Sequence, residues 1–192
     1  PQSIAIVTRQ AIEDQAMDSM ADVVRYVPGV TMGQGEGHRD APTIRGQATT
    51  ADFFTDGVRD DVEYFRDLYN LERVEVLRGP NAMIFGRGGG GGIINRVTKT
   101  PFSSVERGLS LELGSFDHRR ATLDLNQPLG PMASGRLNLM FEDSESYRDF
   151  VGLERWGVNP TVAFTPNDQL SLVVSYEHFE DDRTVDRGVP SF

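Results

Sequence analysis

The chain has 192 residues, 29 acidic against 19 basic side chains, a formal net charge of −10 and no cysteine. This charge argues against nucleic acid as the main partner, because phosphate binding needs a local or net excess of Lys and Arg. The lack of cysteine excludes thiolate metal sites, disulfides and thiol catalysis. No apolar run reaches the roughly 18 residues of a transmembrane helix, so the chain is either soluble or meets a membrane with strands.

The first half, residues 1–98, predicts a small mixed sheet with short helices. Runs of β-forming residues bounded by turn residues predict strands at residues 4–8, 43–46, 53–55 and 73–77. Ser19, with an acid three residues later, predicts the start of a helix that Pro28-Gly29 ends. A second helix is predicted over residues 62–69. Residues 32–40 are polar and contain glycine, which predicts an exposed loop.

The carboxylates and histidines of the chain do not form a recognisable catalytic or metal site. Asp56, Asp60 and Asp61 lack the alternating spacing of a calcium loop and are predicted to be solvated turn residues. Asp56 and Gly57 themselves predict a tight turn. No zinc-like spacing joins the three histidines, which are His38, His118 and His178. We therefore predict that the protein is not an enzyme and has no metal ligands.

A run of glycines in the first half matches a nucleotide-binding pattern. Gly86, Gly88 and Gly91 fit G-x-G-x-x-G, the dinucleotide fingerprint of many oxidoreductases. That site needs a helix directly after the glycines, so that the pyrophosphate lies at its N-terminus. Residues 93–97 instead read Ile-Ile-Asn-Arg-Val, which predicts a strand. A glycine-loop oxidoreductase is therefore only a remote alternative.

The second half of the chain alternates apolar and polar residues with a period of two in five segments, starting near residue 107. Each segment is predicted to be a strand with one apolar and one polar face. The apolar members are, segment by segment, Leu109, Leu111 and Leu113; Ala121, Leu123 and Leu125; Leu137, Leu139 and Phe141; Trp156, Val158, Val162 and Phe164; and Leu170, Leu172, Val174 and Tyr176.

The connections between these strands favour a membrane barrel over a soluble sandwich, which would alternate in the same way. Proline- or glycine-containing turns at residues 128–135 and 166–168, which are expected to be compact, alternate with charged loops at residues 145–152 and from Asp181 onward, which are expected to be longer. Short turns at one end and longer polar loops at the other are typical of outer-membrane barrels. Five antiparallel strands cannot close a barrel, because an open edge in lipid leaves backbone groups unpaired. We therefore expect further strands after Phe192.

Four segments resemble, in order, the signatures of the plug domain of TonB-dependent receptors. They are ADVVRYVPGV at residues 21–30, PTIRG at 42–46, FFTDGVRDD at 53–61 and LERVEVLRGPNAMIFGRGGGGGIINRVTK at 71–99. Within this family, the string VPGVTMGQGEGHRDAPTIRG is most similar to the siderophore receptors of the catecholate type. The resemblance extends over residues 3–180, because the alternating segments stand where the first barrel strands would follow the plug.

The resemblance implies an α+β plug domain at residues 1–98, followed at 99–192 by the first five or so strands of an antiparallel transmembrane β-barrel. About 22 strands would surround the plug in the whole protein. The implied function is that of a non-catalytic receptor in the Gram-negative outer membrane, which imports ferric siderophores by rearranging its plug. Iron would arrive inside the siderophore, so no cofactor is expected. The implied partners are the ferric siderophore, TonB through a box upstream of the chain, and outer-membrane lipid, and we expect a monomer.

The resemblance also implies which loops face the ligand. The chain direction would place residues 115–118, residues 145–152 and the chain from Asp181 outside the cell, with plug loops at residues 33–40, 47–52 and 59–64 beside them. These plug loops carry side chains suited to hydrogen-bonding and stacking on an oxygen-rich, negatively charged iron chelate. The candidate ligand contacts are Gln34, Glu36, His38, Arg39, Arg59 and Tyr64.

Two further arginines, Arg45 and Arg78, match plug arginines that pair with barrel glutamates in the family. A buried guanidinium needs such a partner, because an unpaired buried charge costs several kcal/mol. We interpret both as latches between plug and barrel, and expect them to pair locally or be exposed in this part of the protein. Other functions of the same fold stay open, namely import of cobalamin, haem or a carbohydrate, and a role mainly as a signalling receptor or an entry point for bacteriocins and phage.

Overall fold

The computed structural model describes residues 3–34, 37–49, 52–79, 91–167 and 169–188. These residues divide into two compact units. The first contains the described residues up to Thr98 together with residues 186–188, and the second is Lys99–Val185. Among the described residues, no helix is long and apolar enough to cross a membrane.

The first unit combines a five-stranded mixed sheet, a small three-stranded sheet and two short helices. In chain order its elements are β1 (Ser3–Thr8), α1 (Arg9–Asp14), α2 (Met20–Arg25), β2 (Val30–Gly33), β3 (Ala41–Ile44), β4 (Gln47–Ala48), β5 (Phe53–Thr55), β6 (Val58–Arg59), β7 (Leu71–Arg78) and β8 (Gly92–Thr98). The larger sheet has the order β1-β7-β8-β5-β6 and the smaller one β2-β3-β4. Among the strands of the described residues, only β5 and β8 run parallel. The mixed sheet with short helices is thus confirmed.

The core of the first unit lies between the larger sheet and the helices. Its buried side chains come from both, and they include Ile12, Met20, Val23, Val24, Phe53, Val74, Val76 and Ile94. The predicted helix start is confirmed, since the Ser19 side chain accepts the backbone N–H of Asp22 at 3.3 Å. Such a cap satisfies one of the free amides of the first turn. The tight turn predicted at Asp56 and Gly57 also forms, with both residues at positive φ.

Two predictions for the first unit are wrong in part. The strand expected at residues 43–46 is shifted to Ala41–Ile44, because Arg45 and Gly46 adopt positive φ and turn the chain into β4. The loop expected at residues 32–40 begins with the end of β2 and ends at Asp40, which is buried. The glycines of the nucleotide pattern lie outside the described residues except for Gly91, and a strand rather than a helix follows them.

The helix predicted over residues 62–69 does not form. In a helix the carbonyl of Val62 would accept the backbone N–H of Arg66. Here that N–H donates to Asp40 at 2.9 Å, while the Val62 carbonyl accepts from the Arg66 guanidinium at 2.6 Å. Further along, the Asp67 side chain accepts the backbone N–H groups of Leu68 and Tyr69. Contacts between side chains and backbone have therefore replaced the helical hydrogen bonds.

The second unit is a sheet of six long antiparallel strands, one more than predicted. They are β9 (Glu106–Leu113), β10 (Arg119–Pro128), β11 (Ala133–Glu145), β12 (Gly152–Asn167), β13 (Leu170–Ser175) and β14 (His178–Arg183). The first five match the alternating segments. The sixth pairs with β12 and contains Asp181–Arg183, which we had expected to begin a loop. Its sequence, HFEDDR, is polar and has little alternation to reveal it.

The two faces of this sheet carry the reverse of the chemistry found in water-soluble sheets. Apolar side chains on one face are exposed, and Leu113 is 86% exposed. The other exposed apolar side chains of this face include Leu109, Leu111, Phe141, Val162, Phe164, Leu172 and Val174. Polar and charged side chains of the opposite set are buried, and they include Arg120, Asn126, Arg136, Asn138, Glu142, Arg155, Asn159 and Thr161. This inversion is what a strand with one face toward lipid requires.

Buried ion pairs connect neighbouring strands on the polar face. Arg120 on β10, Glu142 on β11 and Arg155 on β12 are direct cross-strand neighbours. The Glu142 Oε2 atom accepts from Arg120 Nη1 and Arg155 Nη2, each at 2.6 Å. Opposite charges at directly opposed positions stabilise a strand register, so these three residues help to fix the alignment of β10, β11 and β12.

Candidate functional site

A buried arginine organises the surface segment that contains several predicted ligand contacts. The Arg66 side chain is 1% exposed, and its guanidinium donates to the backbone carbonyls of Asp60 at 3.1 Å, Val62 at 2.6 Å and Tyr64 at 3.2 Å. Its charge is balanced by Asp60, whose carboxylate accepts from Nε at 3.1 Å, and by Asp40 at 3.8 Å. The segment from residue 60 to 66 is therefore wrapped around one cation.

Aromatic rings enclose this guanidinium. Its central carbon lies 3.8 Å from the centre of the Phe53 ring and 4.4 Å from that of Tyr64. Cation–π contacts are strongest where water is excluded, and Phe53 itself is fully buried. The arginine is thus satisfied by carbonyls, carboxylates and π-faces together, which is how a buried charge becomes tolerable.

Asp60 joins a second arginine to the same cluster. Its carboxylate accepts from Arg96 on β8, and the Arg96 guanidinium also donates to Thr55 at 2.8 Å and to the Tyr64 hydroxyl at 2.9 Å. The Asp60 side chain is only 16% exposed. The expectation that it is a solvated turn carboxylate is therefore wrong, because two buried arginines need its charge. Asp61 beside it is exposed, as expected.

Tyr64, a predicted ligand contact, is a half-buried member of this cluster. Its hydroxyl donates to Asp60 at 2.9 Å while it accepts from Arg96. Burial raises the pKa of the Tyr64 phenol; Arg96 and Arg66 oppose the rise, and the charge of Asp60 adds to it. The phenol is therefore neutral at physiological pH and serves as a hydrogen-bond donor. Only part of the Tyr64 ring remains open to a ligand.

The structure brings the two predicted loops at residues 33–40 and 59–64 together. Arg39 pairs with Glu63, and the backbone N–H of Asp40 donates to the Tyr64 carbonyl at 3.2 Å. Gln34 is exposed, its carbonyl accepting the backbone N–H groups of Gly37 and Arg39. His38 is half-buried beside them. Glu36, the remaining candidate in this loop, lies outside the described residues.

Arg59 is exposed at the end of the short strand β6, one residue before the cluster. Its guanidinium lies 5.5 Å from the centre of the Phe54 ring. This aromatic face orients the cation. Residues 47–48 of the third predicted loop form β4 instead.

The two predicted latch arginines meet at one turn. The backbone N–H of Arg45 donates to the Gly29 carbonyl at 2.9 Å, and its side chain is exposed. The guanidinium of Arg78 donates to the carbonyl of Pro28 and to the Ser3 hydroxyl, the latter at 2.6 Å. Both arginines are thus attached to the Pro28-Gly29 turn after α2, and Arg78 also connects this turn to β1.

Sequence reasoning missed the residues at the centre of the site, which are Asp40, Arg66 and Arg96. Each lies in a different segment, and they come together only in the folded chain. The one local signal was the density of charge in residues 59–67, where Arg59, Asp60, Asp61, Glu63, Arg66 and Asp67 are too many for the buried face of an ordinary helix.

The first unit is a small α+β domain, and the second is a sheet of antiparallel strands with an exposed apolar face, as membrane-facing strands require. The chain belongs to the TonB-dependent receptor family: residues 1–93 match the family model named TonB-dependent Receptor Plug Domain. This result confirms the resemblance found in the sequence.

Relatives with similar sequences are receptors of the same family. The chain is 36% identical to the probable TonB-dependent receptor BfrD of Bordetella pertussis over 99% of its length, and 36% identical to the catecholate siderophore receptor Fiu of Escherichia coli K12 over 98%. In both cases it spans 26% of the relative, so it corresponds to about a quarter of such a receptor.

Solved structures agree with the sequence relatives. The closed form of the Fiu ferric-catecholate import receptor covers 98% of this chain with a TM-score of 0.92 and 36% identity, and the chain covers 27% of it. The receptor in the FpvAI–pyocin S2 complex covers 94% with a TM-score of 0.86 and 28% identity, and the chain covers 25% of it. The fold of plug and first strands is therefore shared with these receptors.

Proposed function

We propose that the chain is the plug domain and first strands of an outer-membrane receptor that imports ferric siderophores, most similar to the catecholate type. The observation that carries this proposal is the likeness to Fiu, which extends through both units at 36% identity and a TM-score of 0.92. A relative matched over the plug alone would support the family and leave the cargo open. The printed description of Fiu as a ferric-catecholate import receptor is what supports a similar class of cargo here.

The surface around Arg66 is the part of the plug that we assign to cargo binding. Arg39, Arg59 and His38 offer positive or hydrogen-bonding groups there, and Gln34 and the Tyr64 ring add polar and aromatic surface. A ferric catecholate is anionic and rich in oxygen, so arginines and stacking rings suit it. Glu36 belongs to the same proposed surface. The Arg66 guanidinium fixes the backbone of residues 60–66, which carries some of these proposed contacts.

Transport on this proposal is a conformational process without bond chemistry. The titratable groups around Arg66 are consumed in ion pairs and hydrogen bonds with one another, which suits a structural cluster better than acid–base catalysis. We propose that the protein is not an enzyme and has no cofactor, since iron would remain inside its chelator throughout.

The proposed location is the outer membrane of a Gram-negative bacterium, with the plug in the lumen of a monomeric barrel. The exposed apolar face of β9–β13 supports contact with lipid. TonB would act through a box upstream of these residues, and Arg45 and Arg78 are proposed to link plug and barrel. The net charge of −10 gives no support to nucleic acid as a partner.

Growth under iron limitation tests the proposal. A strain lacking the gene for this receptor would be supplied with single ferric siderophores, and uptake of radioactive iron would be compared with that of the complemented strain. We expect the deletion to abolish uptake of one or a few catecholates, and a TonB-deficient strain to behave in the same way. Normal uptake of every ferric siderophore, with loss of cobalamin, haem or carbohydrate uptake instead, would contradict the cargo.

One observation favours a second role. A structurally similar receptor was solved in complex with pyocin S2, so entry of a bacteriocin by the same receptor is a further candidate. Sensitivity of the deletion strain and the complemented strain to a panel of bacteriocins would test it, with resistance expected in the deletion strain. The signalling role has no comparable observation in its favour.

A further inference from the structure

The segment that follows β8, residues 99–105, is neither helix nor strand, yet buried side chains of the second unit hold its backbone. Asn126 on β10 is 1% exposed. Its side-chain oxygen accepts the backbone N–H of Phe102 at 3.1 Å, and its nitrogen donates to the carbonyls of Phe102 at 2.9 Å and Ser104 at 2.5 Å. Both donors and an acceptor site of the amide are thus used on this segment.

A buried ion cluster holds the beginning of the same segment. Asp124 on β10 binds Lys99 at 2.9 Å, and it also makes a two-pronged pair with Arg136 on β11 at 2.7 and 2.8 Å. Arg136 in turn donates to the Thr100 carbonyl at 3.1 Å and lies 5.4 Å from the centre of the Phe102 ring. Because Lys99, Asp124 and Arg136 are largely buried, lifting the segment would separate charges that water does not reach.

The first unit begins with an edge strand. β1 lies at the edge of its sheet, where β7 is its neighbour among the described strands. Ile4 and Ile6 on this strand are more than half exposed, and Val7 is its buried residue. Edge strands with few buried contacts open at low free energy. The first unit thus starts at an edge strand, while the segment immediately after β8 is fixed by buried side chains of the second unit.

We propose that residues 99–105 are a fixed anchor, which stays bound to β10 and β11 while the plug domain rearranges, so that the rearrangement ends at Thr98. The inference rests on the proposed function, because it assumes that the plug domain rearranges during transport. Its physical basis is independent of cargo, since it depends only on Asn126, Asp124, Arg136 and Lys99. The anchor would set the point in the chain at which movement of the plug stops.

Cysteine labelling tests the anchor, because the chain has no cysteine of its own. Phe102→Cys places a thiol at the half-buried position whose ring contacts Arg136. Val7→Cys places a thiol on the buried side of β1. Each variant receptor would be labelled with a small maleimide in two sets of cells supplied with a ferric catecholate. One set imports it, and the other is treated with a protonophore that stops import. We expect the labelling rate at position 102 to be the same in both, and the rate at position 7 to rise severalfold during import. A rise at position 102 during import overturns the anchor.

A second pair of variants shows that position 102 can report release. Adding Asn126→Ala to Phe102→Cys removes the side chain that binds the segment, and we expect labelling to rise several-fold even without import. Gln127→Ala is the matched control, because this neighbour on β10 is exposed and its side chain donates to the adjacent Pro128 carbonyl rather than to residues 99–105. Equal labelling in the two variants overturns the role of Asn126. Absence of import would contradict the proposed function without affecting this comparison.

Discussion

The backbone N–H of Arg66 donates to the carboxylate of Asp40 at 2.9 Å, across 26 residues of sequence. This hydrogen bond, together with the Arg66 guanidinium, decides the conformation of the segment that follows β6. It also places two predicted ligand loops side by side. A single long-range pair therefore sets much of the proposed cargo surface.

Replacing Arg66 with Gln should destabilise this segment strongly. The variant leaves Asp40 and Asp60 with less compensating charge and removes three bonds to backbone carbonyls, and breaking a buried pair of this kind costs about 3–5 kcal/mol. Hydrogen exchange of residues 60–70 in the whole receptor measures the local free energy of opening. Arg59→Gln is the control, since its side chain is exposed. Equal protection in the two variants would show that Arg66 does not hold the segment.

The hydrogen bonds of Tyr64 predict a dependence on alkaline pH. Burial raises the pKa of this phenol, so the folded state favours the protonated form. Its contribution to stability is complete below the ordinary tyrosine pKa of about 10 and is lost as the pH rises through the higher folded value. Local opening of residues 60–66 should therefore become easier above about pH 10.

Tyr64→Phe should show a flatter alkaline dependence than the unchanged receptor, because it has no proton to lose at this position. Tyr26→Phe, at an exposed tyrosine of the same unit, should keep the original dependence. Hydrogen exchange between pH 8 and 11, corrected for the intrinsic exchange rate, would measure both. Identical slopes in all three proteins would count against a buried phenol at position 64.

Gly91 is expected to tolerate no side chain. A Cβ atom there would overlap the backbone carbonyl of Ile44 at the end of β3, and overpacking of this kind costs about 1–3 kcal/mol. Gly91→Ala should lower the urea concentration at which the plug domain unfolds. Gly108→Ala is a suitable comparison, because its Cβ would approach nothing closer than 3.7 Å. A midpoint unchanged by Gly91→Ala would contradict the close approach.

Arg59→Gln should weaken cargo binding while leaving the fold intact. On the proposed function, this exposed cation contacts an anionic chelate, and loss of one charge-assisted hydrogen bond of about 1.5 kcal/mol raises the Kd about tenfold. Calorimetric titration of the purified receptor with a ferric catecholate would measure it. Arg25→Gln, on the exposed face of α2 and paired with Asp22, should bind normally. Equal affinities would remove Arg59 from the cargo surface.

Local patterns were sufficient for much of the fold. Ser19 predicts its helix because the capping bond is made to a residue three positions away, and the alternation of Leu109, Leu111 and Leu113 predicts β9 because side-chain direction has a period of two. The helix predicted at residues 62–69 failed because Arg66 finds its partners at Asp40 and Asp60, and distance in sequence hides Asp40. The polar strand β14 was missed because pairing with β12, rather than its own pattern, defines it.

Arg66 contacts residues 60, 62 and 64 through their main-chain carbonyls, which every amino acid possesses. The backbone path of this loop therefore does not depend on the side chains of Asp61 or Val62, both of which are exposed. Substitutions there could alter the chemistry offered to a cargo while the backbone path is retained. On the proposed function, the cargo contacts of this loop can change while its fold is kept.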